Sequence, residues 1–129
     1  ALPFDERLCI VWLLLKRIYT MGMTYAGQKK LADSMFGKNG YCAMLSFIVP
    51  EDLEKIDQFM LALKFPRYAP TLGGLHTTLS HPVTSSHMGV PDETRRKMGI
   101  TPGMIRVSVG IEDADDLAAD FENALKVFD

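Results

Sequence analysis

The feature that most constrains the fold is the stretch Met104-Ile105-Arg106-Val107-Ser108-Val109. Side chains of an extended strand point alternately to opposite faces. Ile105, Val107 and Val109 therefore share an aliphatic face, and Met104, Arg106 and Ser108 share the other. A strand of this kind needs apolar cover on one side only. The face with Arg106 and Ser108 can meet water, or it can cover another domain. Cover for the aliphatic side follows directly in the chain. A helix is expected from about Asp113, with Asp115 and Asp116 in its first turn, where the positive end of the helix dipole favours acids. Its apolar stripe is Leu117, Phe121, Ala124, Leu125 and Phe128, at helical spacing.

Upstream, Tyr41 to Val49 is apolar apart from Ser46 and is punctuated by Gly40 and Pro50, which predicts a central strand. Pro50 sits where a first helical turn tolerates it, and Leu53, Ile56, Phe59, Met60 and Leu63 then recur as one face of an amphipathic helix. Phe65 to Ala69 reads as a short strand. From Pro70 to Pro91 the composition turns to Gly, Thr, Ser, His and Pro, which predicts a long ordered loop. Asp92 to Met98 reads as one or two helical turns ended by Gly99. Near the start, Arg7 to Leu15 is preceded by acids and followed by Lys16 and Arg17, as a helix dipole prefers. That helix is apolar nearly all round, so part of its cover is expected from outside this chain. After a break at Met21 to Tyr25, a second helix is expected from Ala26 to Phe36, stopped by Gly37 and Gly40. This order of elements predicts an α/β (α+β) domain: a small, mostly antiparallel sheet with helices packed on one face.

Bulk properties narrow the function. A chain of 129 residues suits one domain, and 47% hydrophobic with 23% charged residues excludes a mostly disordered chain. The net charge of -2 comes from mixed signs with no basic stripe, which argues against a nucleic-acid partner. Cys9 and Cys42 form no Cys-x-x-Cys pair and are too few for a secreted disulfide framework, so a reducing, cytoplasmic setting is expected. The apolar run Leu8 to Leu15 is far shorter than the roughly 20 residues a bilayer requires, and no membrane partner is expected.

Candidate chemistry concentrates in three segments: Thr71-Leu72-Gly73-Gly74-Leu75-His76-Thr77, then Ser80-His81-Pro82, then the run from Gly103 to Asp113. Gly73 and Gly74 allow positive φ and close approach of backbone to a ligand, although a plain turn explains a lone pair of glycines equally well. Arg106 offers a rigid fork of donors suited to a carboxylate, the alternative being an internal salt bridge with Asp92 or Glu93. His76, His81 and His87 share one loop, but there is no His-Glu-x-x-His and no cysteine pair, so no metal site is expected. Lys38 in Gly37-Lys38-Asn39-Gly40 lacks the spacing of a phosphate loop.

Taken in order, these motifs resemble the family that includes cystathionine lyases and synthases, methionine γ-lyase and O-acetylhomoserine sulfhydrylase. The resemblance runs from about Tyr25 to Phe128. It rests on Gly40 to Phe47, the Thr71-Leu72-Gly73-Gly74 loop, the His81-Pro82 step, His87 to Pro91, Met98-Gly99-Ile100-Thr101 and Ile105 to Asp113. It implies that residues 25-129 are the C-terminal domain of a fold-type I pyridoxal-phosphate enzyme, preceded by a helical lead-in, residues 1-24, that matches the family poorly. It implies that Arg106 grips the α-carboxylate of a sulfur amino-acid substrate, with Thr71 and Leu72 beside it and Gly73, Gly74 and His76 in the loop near cofactor and substrate.

The departures cluster at that loop. Thr71 stands where serine is usual, Pro70 where an acid is usual, His76 where glutamate is common, and Ser85 and Ser86 where methionine and threonine are common. They bear on the substrate rather than the fold. The family holds pyridoxal 5'-phosphate on a lysine in a Ser-x-Thr-Lys setting within a large preceding domain, and no lysine here has that context. The resemblance therefore implies no catalytic residue in this chain, a cofactor not held covalently by it, and a missing large domain or complementary subunit as partner, with a homo-oligomer expected. A chain of this kind is expected to be inactive alone. One carboxylate-binding arginine serves β-elimination, γ-elimination and γ-replacement alike, so the reaction type stays open. The alternative is a non-catalytic amino-acid-binding regulatory or interaction domain, which needs no missing lysine.

Overall fold

The computed structural model describes Ser34 and residues 43–129. The helix expected at Arg7 to Leu15, the break after it, and both cysteines lie outside the described residues. So does the helix expected at Ala26 to Phe36, apart from Ser34, which is helical.

Four strands form one sheet: β1 (Met44–Ile48), β2 (Arg67–Tyr68), β3 (Thr78–Ser80) and β4 (Met104–Ser108), in the order β1-β4-β3-β2. The β1–β4 and β4–β3 pairs are antiparallel and β3–β2 is parallel, which matches the mostly antiparallel sheet read from the sequence. Among residues 43–129 three α-helices accompany them: α1 (Leu53–Ala62), α2 (Asp92–Lys97) and α3 (Ala114–Leu125).

The alternation in β4 is realised as expected. Ile105, Val107 and Val109 are buried with Leu45, Phe47 and Leu79 of the neighbouring strands. Against them pack Ile56 and Phe59 of α1 and Leu117 and Phe121 of α3. Phe47 meets Phe59 and Phe121 edge-on, at centroid separations of 6.2 and 6.5 Å, the arrangement that ring quadrupoles favour. Both long helices begin at an aspartate. Asp52 accepts from the Lys55 amide, and Asp113 accepts from the amides of Asp115 and Asp116, filling donors that a first helical turn leaves orphaned. With Asp52 as the cap, Pro50 precedes the helix rather than lying in its first turn.

Two expectations are corrected. The run ending at Val49 was expected as a central strand, but among the described strands β1 is an edge and the central positions belong to β4 and β3. Its near-continuous apolarity has another cause. Leu45, Phe47 and Val49 face the core, while Met44, Ser46 and Ile48 line the second face of the sheet, where Ile48 is exposed. The second correction is β3, which lies inside the segment expected as loop. It escapes periodicity because only Leu79 is apolar, and its small neighbours Thr78 and Ser80 are also buried, on the opposite face.

Asp120 interrupts the stripe of α3. It is buried, and its Oδ2 accepts from the amides of Lys64 (2.8 Å) and Phe65 (3.0 Å), where the chain leaves α1. Gly103 is required at the entry to β4, because a Cβ there would collide with the Val49 carbonyl. Among the described residues no helix is long and apolar enough to cross a membrane.

Candidate functional site

The site is built on the sheet face opposite α1 and α3. Register places Ser46, Arg106 and Ser80 in one row across β1, β4 and β3, and Met44, Ser108 and Thr78 in the next. The 71–77 loop lies against the β3–β4 part of this face. The Gly73 amide donates to Ser108 Oγ at 3.1 Å, and Thr78 Oγ1 donates to the Thr71 carbonyl at 3.2 Å. Gly73 has φ +72°, a conformation that side chains with a Cβ rarely adopt. Gly74 does not share it, and of the pair only Gly73 uses the freedom for which both were singled out.

Arg106 is half-buried under this loop. One Nη2 donor reaches the Thr71 carbonyl at 3.5 Å, at the outer limit of a hydrogen bond. Among the described residues the guanidinium makes no ion pair. The internal bridge considered from sequence is not made, because Asp92 binds Arg95 and Arg96, and Glu93 binds Lys97 at 2.7 Å. The hydrogen bond from Arg96, with its charge, holds the Asp92 carboxyl below its usual range. Glu51 and then Asp92 raise the Arg96 guanidinium in turn. Those acids are already occupied, and Arg106 retains donors for an external anion.

The far end of the loop carries a tie that sequence reasoning missed. The Thr77 amide donates to Glu112 Oε1 at 2.6 Å, and its hydroxyl donates to Oε2 at 2.7 Å, while the same hydroxyl accepts from the Gly110 amide at 2.8 Å. The Ile111 amide adds a bond to the Leu75 carbonyl at 2.9 Å. The available signal was the Gly110-Ile111-Glu112 step after the strand, a glycine placed beside an acid where a Cβ would strike the carboxylate.

The other predicted residues of the 71–77 loop lie at the surface. Leu72 is 66% exposed and Thr71 is exposed. His76 is exposed, with Nδ1 3.9 Å from Glu112 Oε1. His81 is buried, its Nε2 against the Pro102 carbonyl at 2.6 Å and its Nδ1 against Thr84 Oγ1 at 3.0 Å. His87 Nδ1 meets Ser86 Oγ at 2.8 Å. The three histidines thus have separate surroundings. Among the described residues no group of three or more His, Cys, Asp or Glu could hold a metal.

The donor set fits the acid end of an amino acid and does not fit pyridoxal phosphate itself. The lysines among the described residues are Lys55, Lys64, Lys97 and Lys126. Lys55, Lys64 and Lys126 lie in or next to α1 and α3, in the layer behind the sheet, and Lys97 is paired on α2. None is set beside Arg106 as a covalent anchor would be.

Comparison with known proteins places the chain in one family. The family model described as Cys/Met metabolism PLP-dependent enzyme matches residues 14–126. A cystathionine β-lyase of Bacillus subtilis is 40% identical over 111 residues, covering 86% of this chain and 28% of that protein. A cystathionine γ-synthase of Escherichia coli is 38% identical over 89 residues, covering 69% of this chain and 23% of that protein. Among solved structures, cystathionine γ-lyase from Lactobacillus plantarum complexed with L-serine superposes with a TM-score of 0.75 at 25% identity, covering 96% of this chain and 34% of that one. The chain spans about a quarter of the length of the curated relatives it matches.

Proposed function

The chain belongs to the pyridoxal-phosphate-dependent enzyme family of cysteine and methionine metabolism, and from that premise we propose that it is the substrate-binding part of a trans-sulfuration enzyme. The enzyme makes or breaks a carbon–sulfur bond of a sulfur amino acid. In this reading Arg106 grips the substrate α-carboxylate, with Thr71 and Leu72 beside it. Gly73, Gly74 and His76 complete the loop over cofactor and substrate. The cofactor belongs to the rest of the enzyme, a lysine-bearing domain or a complementary subunit, and the chain alone is inactive. Exposed Leu72, Leu75 and Ile111, on or next to the loop, give such a partner apolar surface to cover.

One observation carries the reading. A half-buried guanidinium stands on a rigid strand with no ion pair among the described residues, beneath a loop fixed by hydrogen bonds. A charge-assisted pair with a carboxylate contributes about 1.5 to 3 kcal/mol, and the arginine fork makes it directional. The solved relative is complexed with L-serine, which carries the α-carboxylate this reading requires.

The test is calorimetry on the whole cofactor-loaded enzyme, comparing L-methionine with methylthiopropylamine, which is the same molecule without its carboxylate. The amino acid is expected to bind about 10- to 100-fold more tightly, and Arg106→Ala to remove that preference. Retention of the preference in the variant would overturn the reading. Tight binding of methionine, cysteine and cystathionine by the isolated chain would favour the non-catalytic amino-acid-binding module instead.

A further inference from the structure

We propose that Ser108 and Glu112 are positioning residues for the Arg106 carboxylate grip, fastening the 71–77 loop at two points so that the Thr71 carbonyl aims the guanidinium. This rests on the carboxylate-binding reading of Arg106 and adds what makes that arginine effective.

Leu72 and Leu75 are 66% and 69% exposed, so the apolar side chains at the centre of the loop give it little anchorage. A Cβ placed on Gly73 would meet nothing within 4 Å, and one on Gly74 only the His76 carbonyl at 3.9 Å, so little packs against the glycines. A glycine pair in open space loses more conformational freedom on ordering than any other dipeptide. The position of this loop is therefore set by its polar ties.

Two of those ties end on side chains from the segment that carries Arg106. Ser108, two residues along β4 and on the same face, is 3% exposed and takes the Gly73 amide at 3.1 Å. Glu112, just beyond the strand, takes the Thr77 amide and hydroxyl at 2.6 and 2.7 Å. Both Glu112 carboxylate oxygens are engaged, which suits a fastening better than a proton carrier. With the loop fixed at Gly73 and Thr77, and with Thr78 Oγ1 on the Thr71 carbonyl, that carbonyl stands 3.5 Å from Nη2 of Arg106, at the outer limit of a hydrogen bond. The remaining donors of the fork make no hydrogen bond among the described residues and are free to meet a carboxylate. Arginine and loop are thus registered to the same rigid segment, which is how a binding group is held in productive geometry without strain.

The test uses the whole cofactor-loaded enzyme and the affinity ratio of L-methionine to methylthiopropylamine, with thermal melting to confirm folding. Ser108→Ala and Glu112→Gln are each expected to cut the ratio about fivefold, the effect of one weakened hydrogen bond. KM for the amino-acid substrate should rise by the same factor while kcat moves less, and Ser108→Thr, which keeps the hydroxyl, should restore both. An unchanged ratio in folded Ser108→Ala, with Arg106→Ala abolishing it, would overturn the two-point fastening and leave the carboxylate reading standing. If Arg106→Ala itself leaves the ratio intact, the carboxylate reading falls first and this inference falls with it. Should Glu112→Gln fail to fold, Ser108→Ala alone decides.

Discussion

Glu112 holds Thr77 at two atoms, with the backbone amide on one carboxylate oxygen and the hydroxyl on the other. The space for this pair exists only because residue 110 has no side chain. A Cβ there would strike Glu112 Oε2 and come within 2.5 Å of both the Leu75 carbonyl oxygen and the Thr77 amide nitrogen.

Gly110→Ala should therefore destabilise the fold by about 3 kcal/mol, at the upper end of overpacking costs, because two of the three atoms it meets are backbone. Gly89→Ala, where a Cβ meets nothing within 4 Å, should change stability by less than about 0.5 kcal/mol. Urea midpoints at unchanged slope check both. Equal midpoints for the two variants would contradict the packing described.

Asp120 supports the turn after α1 through the amides of Lys64 and Phe65. Asp120→Ala should cost about 2 to 4 kcal/mol, since it strips a buried acceptor from two donors. Asp120→Asn, which keeps an oxygen in place, should cost less. Hydrogen exchange at Lys64 and Phe65 is the direct readout, and both amides should lose protection in the alanine variant.

How much of this was legible in the sequence depended on the range of the pattern. The faces of β4 and the stripe of α3 follow from spacing within a few residues, and both formed as read. Arg106 was visible because it interrupts an aliphatic strand, and a guanidinium there needs a reason. Strand β3 was not legible, since Thr78-Leu79-Ser80 has one apolar residue and its burial comes partly from a loop on the other side. The edge position of β1 was hidden for the opposite reason, because Met44 and Ile48 add apolarity on a face that is not the core. The Thr77–Glu112 tie joins positions 35 residues apart, and no local periodicity encodes it. Asp120 reads as a helix-surface acid until α1 is packed beside it.

The Asp92–Arg96 pair gives a pH prediction with a defined sign. The Arg96 hydrogen bond lowers the Asp92 carboxyl below 3.8 in the folded protein, so the pair's contribution is present above that value and is lost as pH falls through the lower, folded one. Arg96→Gln should move the Asp92 titration, followed by carboxyl NMR, back up toward 3.8. The stability gap between wild type and variant should close in acid. The two side chains are about half exposed, at 46% and 52%, so added salt should shrink the shift. A titration unmoved by the substitution would refute the pairing.

His81 is held by an acceptor that dictates its tautomer. The Pro102 carbonyl can only accept, so Nε2 carries the proton in the neutral ring, leaving Nδ1 to face the Thr84 hydroxyl. Nitrogen-edited NMR should show that tautomer alone, with slow exchange of the ring proton. His81→Phe preserves bulk but leaves the Pro102 carbonyl unpaired, and should cost about 1 to 3 kcal/mol. A proton found on Nδ1 instead would mean the Pro102 contact is not a hydrogen bond.

Arg106→Lys separates charge from shape at the proposed carboxylate site. Lysine keeps the positive charge but presents a point of charge on a flexible stem, losing the planar fork that matches two carboxylate oxygens at once. If the fork matters, KM for the amino-acid substrate in the whole enzyme should rise about 3- to 10-fold, a part of what the whole charge-assisted contact supplies, since the charge itself remains. The contact with the carboxylate is the same in ground and transition states, because the acid group does not react, so kcat should fall much less than KM rises. A lysine variant with wild-type KM would show that field alone binds the substrate. In that case the alignment of Arg106 beneath the Thr71 carbonyl would have no bearing on recognition.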